Sequence, residues 1–193
     1  AVYVGGGNDG LAGALVMNAG RDVQLQGAVL ANEGKSSNSS DPNAGLVAVS
    51  AGRNVELGTL SIGYARSMTW DGANHRTESG SQEAGTQIGG QDVTITAKGG
   101  NIDARAASVN ASGALMMAAG QDLHIEAGES TQTLDEAHRN TQGNRFKKKT
   151  GITSEQEYGS TAQGSSLQGQ SVNLGAGQSL LLSASDVVAK GDV

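Results

Sequence analysis

The sequence contains no cysteine, which excludes disulfide bonds and cysteine-based zinc sites. It has one proline, Pro42, and few aromatic residues: one tryptophan, one phenylalanine and three tyrosines. No signal peptide is evident, and no apolar run approaches the ~18–20 residues that a membrane-spanning helix needs. What remains is a chain rich in glycine, with 30 glycines, and this composition suits a fold made of tight corners.

The chain also lacks an excess of basic residues. Its formal net charge is −6, and the charges are spread along the sequence. Nucleic acid is therefore disfavoured as a partner, because phosphate binding requires a continuous basic face. Few aromatics beside many polar residues could also indicate disorder, but the regular apolar alternation described next argues against it.

A strand–corner–strand unit recurs five times in the sequence. In each copy, apolar residues occupy every second position on both sides of a small-residue corner; the copies are 15–25, 47–57, 93–104, 115–125 and 172–182. Such a unit cannot bury its apolar face alone, so repeated copies indicate a stack. The sequence therefore predicts a solenoid.

The spacing of the copies predicts the size of one coil. Val93 and Leu115, at the start of two adjacent copies, are 22 residues apart. A third apolar position follows the second strand of most copies by five residues; these positions are Leu30, Ile62, Val109 and Val187. We therefore predict an all-β fold, a right-handed parallel β-helix with three strands and about 22 residues per coil.

The remaining residues form insertions at approximately 33–44, 64–87 and 131–166. Each insertion follows a predicted third strand, so we expect all three insertions to leave the coil at the same corner, the one after the third strand. The second contains Asp71-Gly72, a hairpin signal, and the second and third are rich in residues that exposed strands tolerate. We expect extra-helical β-hairpin or loop insertions, of which the two longer ones pair as an antiparallel flap.

A column of small polar residues occupies the corner of each copy: Asp22, Asn54, Asn101, Asp122 and Ser179. Stacked carboxylates could line a catalytic groove, as two acids do in glycoside hydrolysis. Alternatively, these side chains hydrogen-bond to backbone N–H groups and hold the turn. Asn and Ser replace Asp at this position, which suits turn chemistry and not acid–base chemistry, so we favour the turn. We predict no catalytic residue and no enzymatic activity.

The histidines, His75, His124 and His138, have no ligand-like spacing, and we predict neither a metal site nor a cofactor. Residues 145–149, Arg-Phe-Lys-Lys-Lys, are the one basic run of the sequence. A solvated loop is the simpler interpretation, and a contact point for acidic glycans or lipid headgroups is the alternative. The candidate contact residues are Trp70, Arg145, Phe146, Lys147, Lys148 and Lys149.

Several motifs resemble the haemagglutinin repeats of filamentous haemagglutinin-like exoproteins and contact-dependent growth inhibition effectors (the CdiA family). They are Ala-Gly-Arg-Asp-Val-Gln-Leu at 19–25, Ala-Gly-Gln-Asp-Leu-His-Ile at 119–125, and the stretch 146–177, which begins Phe-Lys-Lys-Lys-Thr. The resemblance implies export by an outer-membrane two-partner secretion transporter. It also implies a filament on a Gram-negative cell that serves adhesion, or that carries a C-terminal toxin to the surface or outer membrane of a target cell.

We therefore expect residues 1–193 to be a single β-helix fragment of a larger secreted, surface-exposed virulence exoprotein. The expected function is that of a rigid stalk segment that supports adhesion or toxin delivery. A carbohydrate-binding or polysaccharide-degrading β-helix module is the alternative. Because uncapped solenoids expose unpaired strand edges, end-to-end self-association is also expected.

Overall fold

The computed structural model describes residues 1–5, 13–34, 43–71 and 73–191, and they fold into β-strands. Within these residues no helix is long and apolar enough to cross a membrane. The chain divides into two compact units. The first, here called the column, comprises Ala1–Leu60, Ala84–Gly128 and Gln163–Val193; the second, here called the arm, comprises Ser61–Glu83 and Glu129–Ala162.

The column is built from three parallel sheets, and each coil contributes one strand to each sheet. With strands numbered in chain order, the first-strand sheet contains β2 (Leu15–Ala19), β5 (Leu46–Ala51), β9 (Asp92–Ala97), β12 (Ala114–Ala119) and β17 (Ser171–Ala176). The second-strand sheet contains β3 (Val23–Gln26), the start of β6 (Val55–Asp71), β10 (Ile102–Arg105), β13 (Leu123–Glu126) and β18 (Leu180–Leu182). The third-strand sheet contains β1 (Val2–Val4), β4 (Val29–Asn32), β8 (Gln87–Gly90), β11 (Ser108–Ala111), β16 (Ser166–Gly169) and β19 (Asp186–Ala189).

The coils stack in the register that the repeats predict. Val47 pairs with Leu15 on one side and with Val93 on the other, so equivalent residues of successive copies lie above each other. Alternate side chains of each strand point inward, which brings these apolar residues into one core. Val49, Ile95 and their counterparts in the other sheets are buried there. The all-β fold and its parallel β-helical architecture are thus confirmed, whereas the right-handed winding and the length of one coil stay predictions.

The third strand of two coils lies elsewhere than predicted. Ile62 is 59% exposed, and the position between Leu30 and Val109 in the third-strand sheet is filled by the buried Ile88. In the fourth coil the buried Leu167 fills the equivalent position. The reason is that both long insertions interrupt the coil before its third strand. A count of five residues from the second strand therefore ends inside an insertion.

The prediction of one shared corner is consequently wrong in part. The two arm segments, Ser61–Glu83 and Glu129–Ala162, both leave between a second and a third strand. The predicted insertion 33–44 instead lies between β4 and β5, after a third strand, and most of it falls outside the described residues.

The arm is a four-stranded antiparallel sheet in the order β15 (Lys147–Gln163), β14 (Gly128–Asn144), β7 (Asn74–Gly85) and β6. Its two insertions meet through β7 and β14, where Ser130 pairs with Gln82 and Ala137 pairs with His75. The predicted antiparallel pairing of the second and third insertions is therefore confirmed. Most side chains of the arm are exposed or half-buried, so this sheet has little core of its own.

Candidate interaction site

The corner column forms a hydrogen-bonded ladder along the stack. Asp22 Oδ1 accepts from the backbone N–H of Asn54 at 3.1 Å, and Asn54 Oδ1 accepts from the N–H of Asn101 at 3.0 Å. In the same way, Asn101 Oδ1 accepts from the N–H of Asp122 at 3.2 Å, and Asp122 Oδ1 accepts from the N–H of Ser179 at 3.1 Å. Each side chain thus binds the equivalent backbone of the next coil. These oxygens are engaged in holding the turns, as the turn interpretation predicts.

Asp22 also forms an ion pair at the start of this ladder. Its carboxylate accepts hydrogen bonds from the Arg53 guanidinium, one of them from Nε at 2.9 Å. This contact, helped by the N–H of Asn54, lowers the pKa of Asp22 from 3.8 to about 2. A carboxylic acid with so low a pKa is a poor proton donor near neutral pH, because catalytic acids need a pKa near the working pH. The pair is a surface clamp between two coils.

A shallow groove of about 310 Å³ lies on the outer face of the second-strand sheet. Its polar side chains pair across adjacent coils: His124 Nδ1 lies 3.1 Å from Asp103 Oδ1, and Arg105 Nη1 lies 3.0 Å from Glu126 Oε1. Glu56 and the small Gly58 complete the floor. The sequence alone does not indicate this groove, because its lining residues, from Gln26 to Leu181, come from five separate coils. Among the described residues, no group of three acidic or histidine side chains could hold a metal ion.

The basic run forms the end of the β14–β15 hairpin. Arg145 and Phe146 are the two turn residues, and Asn144 Oδ1 accepts from the backbone N–H groups of Phe146 and Lys147 at 3.2 and 3.0 Å. Phe146 is 91% exposed, and Lys147, Lys148 and Lys149 follow at the start of β15. We call residues 145–149 the basic tip.

The charge around the basic tip is of one sign. Residues 140–154 include one arginine and three lysines but no aspartate or glutamate. Because neighbouring residues of a strand point to opposite faces, Lys148 lies on one face of the hairpin and Lys147 and Lys149 on the other. The tip therefore presents positive charge on both faces around an exposed phenyl ring.

Trp70, the remaining predicted contact residue, does not belong to the basic tip. It lies next to the β6–β7 turn, where Asp71 Oδ1 accepts from the Ala73 N–H at 2.8 Å. That hydrogen bond, followed by one from Asn74, lowers the pKa of Asp71. The N–H of Arg139 donates to Asn74 Oδ1 at 2.7 Å, which aligns this turn with Arg139 in β14. Residues 140–144 continue beyond it, so the basic tip lies about 17 Å further along the arm.

Trp70 instead continues a row of exposed side chains along β6. Ile62, Tyr64 and Met68 occupy alternate positions before it, and all are exposed. This row is not among the surfaces predicted from the sequence, although its alternation is visible there. The reason is that Ile62 was assigned to the core of the column.

The chain was compared with protein-family models, with curated proteins and with solved structures. A family model described as hemagglutinin repeat matches residues 67–193, which is about two thirds of the chain. No curated protein matches, and neither does any solved structure.

Proposed function

The chain belongs to the hemagglutinin repeat family, and from this premise we propose that it is a rigid stalk segment of a large two-partner-secreted surface exoprotein. In this role the segment supports adhesion, or it supports delivery of a C-terminal toxin to neighbouring cells. The observation that carries the proposal is the apolar core that runs through all three parallel sheets of the column. Residues 1–193 are then one β-helical fragment of the exoprotein, located at the surface of a Gram-negative cell.

The stacked core makes the column suitable as a spacer. Each coil adds one strand spacing of about 4.8 Å, and its backbone hydrogen bonds join it to the coils on both sides. Val47, Val93 and Ile102 are fully buried in the middle of the stack. Bending the column would separate these packed layers. Additional coils therefore lengthen the column and leave it rigid.

Electron microscopy of cells that display the whole exoprotein tests the stalk. We expect thin filaments of constant width, shortened in a variant that lacks several complete coils. A globular or invisible surface layer would contradict the proposal. Toxin delivery is tested separately by co-culture: cells that display the exoprotein should inhibit neighbours that lack a matching immunity protein, and a pure adhesin should not.

The basic tip is the part of the chain best suited to contact a target surface. Its four cations stand in a segment without acidic residues, although the whole chain carries a net charge of −6. An anionic surface attracts such a cluster by about 1 kcal/mol for each cation near it. The exposed ring of Phe146 adds an apolar contact. We propose that the basic tip binds the anionic surface or outer membrane of the target cell.

Binding of the purified chain to Gram-negative cells and to vesicles with anionic lipids tests the tip. The informative variant replaces Lys147, Lys148 and Lys149 with glutamine. Its matched control replaces three cations of the column, Arg21, Lys98 and Lys190, and thus removes the same net charge. We expect the tip variant to lose binding and the control to keep most of it. Equal losses would indicate a nonspecific charge effect and contradict a contact at the tip.

The groove on the second-strand sheet supports a second candidate, a carbohydrate-binding module. Its imidazole, guanidinium and carboxylate groups are side chains that hydrogen-bond sugar hydroxyls, and the groove is open along the sheet. A glycan array with the wild-type chain and with Asp103→Ala tests this candidate. Specific binding that the substitution abolishes would favour a carbohydrate-binding module. An array without signal would contradict this candidate and leave the stalk as the proposed function.

A further inference from the structure

The arm portion of β6 sorts its side chains by size. One face carries Ile62, Tyr64, Arg66, Met68 and Trp70, whereas the alternate positions 61, 63, 65, 67 and 69 are serine, glycine, alanine, serine and threonine. All ten residues are exposed. Large apolar side chains of a strand normally pack against side chains of neighbouring strands, so this exposed row indicates a strand that gains cross-strand contacts from a partner.

This part of β6 is also an edge of the sheet. Among the described residues, this part of β6 neighbours β7 alone, because the pairings of β6 with β3 and β10 involve only residues 55–58. Its outer edge therefore offers backbone N–H and C=O groups to another strand.

The opposite edge of the arm differs in the features that prevent pairing. β15 carries Lys147, Lys148, Lys149, Glu155 and Glu157, and charges on an edge strand hinder the addition of another strand. Residues 61–71 of β6 contain two charged residues, Arg66 and Asp71, and no proline. The β6 edge thus carries fewer charges than the β15 edge, and the apolar row lies on it.

We propose that this β6 edge is a homotypic interface, which pairs antiparallel with the same edge of a second copy of the chain. A two-fold axis at Ser67 places Tyr64 opposite Trp70 of the second copy and Arg66 opposite Met68 of the second copy. Directly opposed residues of antiparallel strands share a face, so the two apolar rows form one surface. No like charges are directly opposed in this register, and the two Arg66 side chains are diagonal neighbours on the shared face. The two four-stranded sheets then join into one sheet of eight strands.

Two physical features determine what kind of dimer this interface makes. A two-fold contact is closed, so association stops at two copies, in contrast to stacking of column ends, which can continue. One pair of strands buries less than the ~1,200–2,000 Å² of a stable specific interface, so the dimer is weak in solution. Copies held on one surface would pair more readily because their effective concentration is high. The proposal does not depend on the stalk function.

Sedimentation velocity of the intact chain from low micromolar to near-millimolar concentration tests the interface. The test variant is Tyr64→Lys with Trp70→Lys, and the matched control is Tyr158→Lys with Ile152→Lys on β15, where Tyr158 is 68% exposed. We expect a monomer–dimer equilibrium for the wild type and the control, and about tenfold weaker association or more for the test variant. A wild type that stays monomeric would overturn the proposal. Association that the β6 substitutions do not weaken would overturn it too.

Cross-linking reports on the location directly, because the natural chain contains no cysteine. Ser67→Cys places a single thiol at the proposed axis, and Ser160→Cys places one on the β15 edge. A short bifunctional thiol reagent should trap dimers of the Ser67→Cys variant much faster than dimers of the Ser160→Cys variant. Equal rates would show that the two copies do not meet at Ser67.

Discussion

The Ser165 hydroxyl donates a hydrogen bond to the backbone carbonyl of Glu126 at 2.7 Å, and it accepts one from the Ala107 N–H at 3.0 Å. Ser165 lies immediately before the third strand of a coil that the arm interrupts, and it is buried. The same arrangement recurs in the other interrupted coil. There, the buried Thr86 donates to the carbonyls of Leu25 and Gly58 at 2.8 and 3.0 Å.

Uninterrupted coils close this corner in another way. Gly27, Ala106 and Ala184 adopt left-handed backbone conformations there, with φ of 54°, 48° and 47°. An interrupted coil leaves the column at this point and cannot use such a residue. A buried hydroxyl, from Thr86 or Ser165, then donates to backbone carbonyl groups at the ends of the second strands. Buried carbonyls without a partner would be costly, so the hydroxyl is a requirement of the insertion.

The first prediction concerns this hydroxyl. Thr86→Val keeps the shape of the side chain but removes the donor to Leu25 and Gly58. We expect a loss of about 1–3 kcal/mol in the free energy of unfolding, because buried carbonyl groups lose a hydrogen-bond partner. Urea denaturation followed by circular dichroism measures it. Thr94→Val, on the outward face of β9, is the control and should change stability by about 0.5 kcal/mol at most.

The second prediction concerns the inward–outward assignment of the strands. Leu123 is fully buried, whereas Gln24 on the same sheet is exposed. Leu123→Asp should destabilise the chain by several kcal/mol and unfold the column cooperatively, since a buried charge without a partner is unfavourable. Gln24→Asp should have little effect. Similar melting curves for the two variants would contradict the assignment.

Features that depend on neighbouring residues could be predicted from the sequence, whereas features that depend on pairing between distant segments could not. Val47, Leu57 and Leu123 occupy the predicted inward positions because strand alternation and the repeat interval are local properties, visible in any one copy. Ile62 was misplaced because its neighbours have the same alternation whether they lie in a coil or in a hairpin. Only the pairing of β7 with β14, between segments about fifty residues apart, decides between the two.

The basic tip shows the same limit for the candidate site. The cluster of cations at 145–149 is visible in the sequence, and so is a turn near it. That Trp70 lies in a different hairpin, well short of the tip, follows from the relative lengths of β7 and β14, which periodicity does not encode. The groove with Asp103, Arg105 and His124 was missed for a related reason, since its members become neighbours only through the stacking of coils.

The third prediction concerns acid stability. The pKa of Asp22 is about 2 in the folded chain, below its ordinary value of 3.8, because of the hydrogen bonds from Arg53. A depressed carboxylate pKa stabilises the fold above the unfolded-state value, and this contribution disappears as the pH falls from about 4 to about 2. NMR titration of the side-chain carboxyl carbon should give a pKa near 2. Arg53→Gln should raise that pKa toward 3.8 and reduce the stability difference between pH 5 and pH 2. An unchanged titration would show that Arg53 is not the cause.

The last prediction concerns the independence of the column from the longer arm segment. Glu126 pairs with Arg105, and Ser166 pairs with Ser108, so Ala127 and Ser165 correspond to Ala106 and Ala107 of an uninterrupted coil. Deletion of residues 128–164 should therefore leave a corner of the correct length, and Ala127→Gly should ease the left-handed conformation required there. We expect this variant to fold with a cooperative thermal transition, because the core residues of the column are all retained. The matched control deletes 128–165, one residue more. It shifts the following strand by one position and turns its inward side chains outward, so it should be strongly destabilised. Calorimetry of the two variants distinguishes the outcomes: if both unfold alike, the arm is part of the core, and the description of the column as a self-sufficient stack is wrong.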